Sequence, residues 1–277
     1  MSLTSIPPGT DPPTDVVTRK VFINNTELSN EIQLSQLSVM KSFNKIASAK
    51  LVFKDGAVAD RDFVLSNDDK FKPGSEIKIQ LGYHGSADTV FEGIIIKHAV
   101  KVMRGSSVLI IDAKDKAVKL TGARKSVYYI SKTDSDVITA LAGSLQKDID
   151  ATSPAHEQLV QFDATDWDFI VTRAEANGML VTTDDGKLIA KKPVLTPPAV
   201  LTATYGVNIW EFEAEMDARR QLQSVVAHSW DYTKQQPEQS TNGTAPGFTA
   251  ALPVTRTLPT ALDNLLRSAN ASAQCCK

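Results

Sequence analysis

A chain of 277 residues is long enough to bury a sizeable core, in two domains or in one domain that carries an insertion. Its 30 basic side chains against 32 acidic ones leave a formal charge of −2, and the basic residues are scattered rather than striped. That balance gives no electrostatic footprint for nucleic acid, and the sparse aromatics argue against a stacking platform for single strands.

The first residues, MSLTSIPPGTDPPTDVV, have neither the charged n-region nor the apolar h-region of a secretory signal, so assembly in the cytoplasm is expected. Met1 to Val16 hold four of the thirteen prolines plus Gly9. Such a segment buries too little to order itself, so residues 1–17 read as an arm. No apolar run approaches the roughly 18 residues of a membrane span, so no integral membrane segment is expected.

From Thr18 to about Lys125 the pattern is β almost throughout. Lys20 to Ile23 reads as a strand ending at the Asn24-Asn25 turn. Between Glu31 and Val39 the apolar alternation slips at Gln36, which marks a bulge. Ala47, Ala49, Leu51 and Phe53 alternate cleanly before an Asp55-Gly56 turn. Pro73-Gly74 forms another turn, because proline presets φ and glycine tolerates positive φ. Ile77, Ile79 and Leu81 continue with period two. Phe91 to Val102 and Ser106 to Ala113 are long strands joined through Arg104-Gly105. Six or so strands at short spacing predict an antiparallel barrel or sandwich over residues 18–126.

Residues 127–198 read as an α/β insertion. Ser131 or Thr133 opens a helix with Asp134 and Asp136 in its first turn and Val137, Ile138, Leu141 and Leu145 on its apolar face. A short strand, Leu159 to Phe162, follows. The stretch from Gln161 to Pro193 then holds a helix with start and stop signals and a marked hairpin. Asp163 or Thr165 is the expected N-cap. Trp167, Ile170, Val171 and Ala174 place one apolar stripe on one helix face. Gly178 is expected as the left-handed residue that ends the helix. Asp185-Gly186 is the dipeptide favoured in two-residue hairpin turns. Trp167, Asp168, Gly178, Asp185, Gly186, Pro73 and Gly74 are therefore the structural landmarks. Val194 to Ala199 reads as an exit linker.

The β signal resumes over residues 199–233, with strand candidates Val200 to Thr204, Ile209 to Ala214 and Leu222 to Trp230. Three strands seldom close a barrel, so this second β domain is incomplete within the chain. Residues 234–257 are polar and read as a linker or long loop. Leu258, Leu262, Leu265 and Leu266 predict a final amphipathic helix within residues 258–277. The only cysteines, Cys275 and Cys276, are neighbours; a vicinal pair closes no structural loop and implies a reducing compartment. Without a second ligand pair they also make a poor zinc site.

Candidate chemistry is weak throughout. Asp163, Asp166 and Asp168 suggest an acid pair or a calcium loop, yet the glycine and distal glutamate of an EF-hand-like loop are missing, and helix capping accounts for all three. Asp184 and Asp185 sit in a turn that explains them. His84, His98, His156 and His228 lie on different elements with no nucleophile or ligand spacing, and no phosphate-cradling glycine loop is present. Trp167, Trp210 and Trp230 could form a sugar platform, but core packing suits Trp167 better. No catalytic residue, no metal ligand and no cofactor is expected.

Three segments taken together carry a family resemblance. They are FKPGSEIKIQLGY, VFEGIII and LIIDAKDKAVKLTGARKS between Phe71 and Ser126; TDWDFIVTRAEANGMLV with DDGKLI; and Tyr205-Gly206 through WEFEAEMDARRQLQSVVAHSWD. In that order and spacing, over about Thr18 to Asp231, the chain resembles the VgrG and phage late-control-protein-D family. These are the hub and spike proteins of contractile phage tails, type VI secretion systems and extracellular injection particles. The resemblance implies a mainly β fold of two tube-protein-like antiparallel barrel domains with a helix-hairpin insertion near the second. It also implies a homotrimer whose six barrels form a pseudo-six-fold ring between the inner tube and a central spike. The partners would be further copies, the inner tube protein, the spike tip and other baseplate proteins. Family members usually go on to finish the second barrel, and many add an OB-fold and a β-helical needle, so those parts are expected beyond Lys277 or on another polypeptide, and the resemblance implies the hub role rather than the spike role for this chain. Two rival readings are a LysM-like wall-binding module built on Gln161 to Pro193, and a hub-associated muramidase. The second needs two facing carboxylates, and none can be nominated.

Overall fold

The structure, a computed structural model, describes residues 17–56, 62–83, 86–103, 106–194, 204, 209, 211, 213, 224–232, 234–239, 243–244 and 255–259. The expected N-terminal arm, the Arg104-Gly105 turn, most of the exit linker, and Cys275 and Cys276 lie outside these residues. So do His84, Trp210 and most of the third resemblance segment.

Seven strands form one sheet: β1 (Thr18–Ile23), β2 (Thr26–Glu27), β3 (Leu34–Met40), β4 (Ser48–Lys54), β5 (Glu76–Gly82), β6 (Asp88–Met103) and β7 (Ser106–Lys114). Their order is β2-β1-β5-β6-β7-β4-β3, and every pairing is antiparallel. Period-two alternation puts Val21, Ile23, Ala49, Leu51, Phe53, Ile77, Ile79, Phe91, Leu109 and Ile111 on one face, where they form a single core closed by Phe71. Asn24 (φ 49°) and Asn25 (φ 64°) make the tight β1–β2 turn with two left-handed residues. The register shift on β3 falls between Leu34 and Gln36, at the slip visible in the sequence.

The sheet is a curled half-barrel rather than a closed barrel: its terminal strands β2 and β3 are not paired with each other. Arg19 on β1 reaches across the seam, its Nη1 donating to Leu34 O and its Nη2 to Ile32 O, each at 3.4 Å. The seam is thus bridged by a side chain where a ladder would otherwise run.

After a 3-10 turn at Lys116–Thr121 come β8 (Arg124–Lys132), α1 (Asp134–Leu141), β9 (Gln146–Ile149), β10 (His156–Thr165), α2 (Asp166–Ala176), β11 (Leu180–Asp184) and β12 (Lys187–Lys191). Strand β8 crosses the boundary expected at residue 126, and β10 is longer than the short strand foreseen. Thr133, not Ser131, caps α1 in a reciprocal capping box with Asp136. Thr165, not Asp163, caps α2, its Oγ1 accepting from Asp168 N at 3.1 Å. Asp163 sits instead in a bulge at φ 40°. Past the C-terminus of α2, Gly178 (φ 67°) donates to Glu175 O and Met179 to Ala174 O, each at 2.9 Å. This is a Schellman ending, and only a residue free at positive φ makes it without strain.

Trp167, Ile170 and Ala174 from α2 meet Ile138, Met179, Val181, Leu188 and Ala190 in a second core, to which Ala117 of the 3-10 turn contributes. A three-stranded sheet of order β11-β12-β9, with β9 parallel to β12, lines that core.

Four more strands follow: β13 (Ser224–Asp231), β14 (Gln236–Gln239), β15 (Gly243–Thr244) and β16 (Thr255–Pro259). Two expectations are corrected here. Part of the polar stretch read as a linker over 234–257 is strand, because β14 and β15 pair antiparallel with β13. The start of the helix expected from Leu258 is strand too, since β16 runs parallel to β13 from Ser224↔Thr255 to His228↔Pro259. Ladder pairing overrides the leucine spacing there.

Trp167 is only 7% exposed. Trp167→Ala is expected to lower unfolding stability by about 3–5 kcal/mol, the cost of a large buried aromatic cavity. Chemical denaturation followed by circular dichroism measures it, and an unchanged midpoint would remove Trp167 from the core.

Candidate assembly surfaces

Strands β8 and β10 pair antiparallel into a two-stranded ribbon. Its inner face is fastened down. Leu159 packs with Val137 of α1 and Phe169 of α2, and Tyr129 stacks on Phe169 with ring centroids 6.2 Å apart. The Tyr129 hydroxyl donates to Gln161 Oε1 at 3.1 Å, and Gln161 Nε2 in turn donates to Ala164 O at 2.9 Å and Asp166 Oδ1 at 3.2 Å. Lys125 Nζ reaches Asp166 Oδ2 at 2.7 Å.

The outer face is apolar and uncovered. Tyr128 and Val160 are cross-strand partners, with Ile130 and Phe162 beside them, and their exposures are 65%, 53%, 60% and 80%. Exposed clusters of large apolar side chains are uncommon on soluble monomers, so this face is a candidate contact surface.

A second exposed apolar element is the end of the β6–β7 hairpin. Strand β6 pairs with β5 only as far as Ile94, then continues beside β7 to Met103. Val100, Lys101, Val102 and Met103 are all exposed, so β6 is open on both faces there and its edge beyond Ile94 is free of β5, while β7 stays paired with β4 as far as Val108; this exposed end of β6 is called the arm.

Beneath the ribbon lies a buried polar node. The Asp134 carboxylate, fully buried, accepts from Arg173 Nε at 2.7 Å and Asn177 Nδ2 at 2.8 Å, with His156 Nε2 at 3.2 Å. It ties α1 to α2 and to the start of β10. Burial pushes the Asp134 pKa up, but the hydrogen bonds from Arg173, Asn177 and His156 and the Arg173 charge outweigh it and hold the group at about 2. Among the described residues no group of His, Cys, Asp and Glu is placed to hold a metal ion.

The family described as the Alg8 N-terminal domain matches residues 13–251. The chain belongs to the Alg8 N-terminal domain family. Comparison with curated protein sequences gives no match. Among solved structures this Alg8-type chain is similar to a 43 kDa tail protein of prophage MuSo2 from Shewanella oneidensis, with TM-score 0.64 and 10% identity over 92% of this chain and 77% of that one. It is similar to a tail protein from Neisseria meningitidis MC58, with TM-score 0.59 and 16% identity over 93% and 73%. It is also similar to VgrG in a Francisella PdpA–VgrG complex, with TM-score 0.53 and 13% identity, covering 88% of this chain but only 44% of that one. At these identities the likeness is one of fold: the mostly β architecture with its curled half-barrel is that of phage tail proteins and VgrG.

The sequence landmarks fall elsewhere than on these surfaces. Trp167 is in the second core, and Asp168 lies in the first turn of α2. Gly178 ends that helix. Asp185 (φ 49°) and Gly186 (φ 81°) form the β11–β12 turn, docked on the first sheet, where Gly186 N donates to Asp115 Oδ2 at 2.8 Å. Pro73 and Gly74 turn the chain into β5, and Gly74 (φ 101°) donates to Ile95 O at 2.8 Å. His98 Nδ1 lies 3.1 Å from Phe71 O, and Trp230 is half-exposed. The ribbon went unread as a unit, although Val127-Tyr128-Tyr129-Ile130 is a β-rich run that could have signalled it. Arg173 and Asn177, four apart on one face of α2, hinted at a shared partner. Nothing in the sequence pointed to Asp134.

Because the folded pKa of Asp134 is depressed, its stabilisation is present above the unfolded value of 3.8 and lost as pH falls through about 2. Thermal melts between pH 5 and pH 2 should show a loss that includes about 2 kcal/mol from this group. Asp134→Asn should be destabilised at pH 5 and lose that part of the slope; an unaltered slope would mean the node does not couple to folding.

Proposed function

We propose that this chain is a non-enzymatic structural hub of a contractile, phage-tail-like injection particle. The observation that carries the reading is the half-barrel with open edges, in the fold of tail proteins and VgrG, within an Alg8-type chain. In this reading residues 18–126 supply one tube-protein-like unit, residues 127–198 the insertion, and the sheet built on β13 belongs to a second such unit.

Three copies would bring six units into a ring that fits a six-fold inner tube on one side and a three-fold spike on the other. Open strand edges and uncovered apolar faces are a liability on a monomer and an asset in a closed ring, where neighbours cover them. The partners are the inner tube protein, the spike tip and neighbouring baseplate proteins. Within the Francisella structure VgrG is held in a complex with PdpA, so a further protein partner on the hub is part of the same expectation.

Native mass spectrometry and light scattering test the oligomer. A species of three chain masses is expected at micromolar concentration. A strictly monomeric chain, with whatever sequence continues it present, would remove the hub reading.

A further inference from the structure

We infer that the exposed end of β6, Val100 to Met103, of one copy packs across the outer face of the β8–β10 ribbon of the next. The occupant of that apolar face is therefore a second copy of this chain, and the inference rests on the trimeric-hub reading.

A cyclic ring with more than two members needs two different surfaces on each protomer, one for each neighbour. The arm and the ribbon are two such surfaces, and they match in chemistry. The arm offers Val100, Val102 and Met103, all exposed; the ribbon offers Tyr128, Ile130, Val160 and Phe162. Ribbon against ribbon would satisfy a two-fold contact and leave the arms in water.

Charge selects the side of the ribbon. The arm carries Lys97 and Lys101 and no acid between Ile96 and Met103. Strand β10 carries Glu157 and neither lysine nor arginine, its Asp163 being paired with Arg124, whereas β8 carries Arg124, Lys125 and Lys132. The arm is accordingly placed toward β10, with its lysines on the polar rim. Rim charges of this kind fix register and steer encounter more than they add affinity.

The ribbon also offers anchors of the right kind. A specific interface covers about 800 Å² per partner, with an apolar centre anchored by aromatics. Tyr128 and Phe162 are such anchors, and the inner face of the ribbon is already held by Tyr129, Gln161 and Lys125, so little ordering remains to be done on binding.

The test uses the full chain with Cys275 and Cys276 replaced by serine. Val102→Cys and Phe162→Cys are introduced singly and together, and a flexible bismaleimide is added. Mixing the two single variants should give a cross-linked dimer that neither gives alone, and the double variant should give a covalent trimer on a denaturing gel. Phe162→Glu, at a position too exposed to endanger the fold, should keep its circular dichroism spectrum while trimer dissociation rises about tenfold or more. A trimer by native mass without the mixed cross-link would overturn this interface and leave the hub standing. Val102→Cys dimers formed alone would replace it with an arm-to-arm contact. A monomer would overturn both.

Discussion

One buried carboxylate holds together the two packed bodies on which the rest of the described fold depends. Asp115 ends the last strand of the half-barrel and accepts from Ala117 N and from Gly186 N, both at 2.8 Å. The first bond starts the 3-10 turn that delivers Ala117 into the second core; the second seats the β11–β12 hairpin against the sheet. Burial pushes the Asp115 pKa up despite both bonds, so the two amide donors offset only part of the cost of keeping its charge out of water. The β3–β4 loop closes the same joint from the other side. Asn44 exchanges bonds with Val181, donating from its backbone N at 2.7 Å and accepting through Oδ1 at 2.9 Å, while Lys41 pairs with Asp184. Ala47 N donates to Thr183 Oγ1 at 2.9 Å.

Through that joint the helix-containing part is bonded to the half-barrel at several points rather than merely tethered to it. Its helices are locked to one another through Asp134 and Arg173, and breaking such a buried pair by deleting one partner leaves an uncompensated charge. The ribbon lies on these helices with its inner face satisfied and its outer face bare. That asymmetry distinguishes a prepared contact surface from a poorly packed one. A loosely held ribbon would have to be ordered on binding, and an interface built on it would lose affinity by that amount.

Much of this was legible where local chemistry decides. Period-two runs gave the strands of the half-barrel, the slip at Gln36 gave the β3 bulge, and the Gly178 and Asp185-Gly186 signals fell where positive φ is needed. What could not be read were partnerships across long stretches of chain. Asp134 looks like a first-turn acid serving the α1 dipole, and only the fold brings Arg173 and Asn177 to it. Likewise Thr255 to Pro259 becomes strand through a parallel ladder to β13, a pairing no local pattern announces. The arm and ribbon were hidden for a related reason: Val100, Val102, Val160 and Phe162 read as ordinary core positions of strands, and their exposure is a property of where the neighbouring strands stop.

The same reasoning explains why the acids of the insertion suggested catalysis and how they are in fact employed. Asp163 accepts from Arg124, Asp166 from Lys125 and Gln161, and Asp184 from Lys41. Hydrogen bonds from Lys191 and Lys187 lower the pKa of Asp148. Carboxylates committed in this way tie strands, turns and helix ends to one another. Polar groups therefore tie elements of this chain to one another, while the outer face of the β8–β10 ribbon is aliphatic and aromatic.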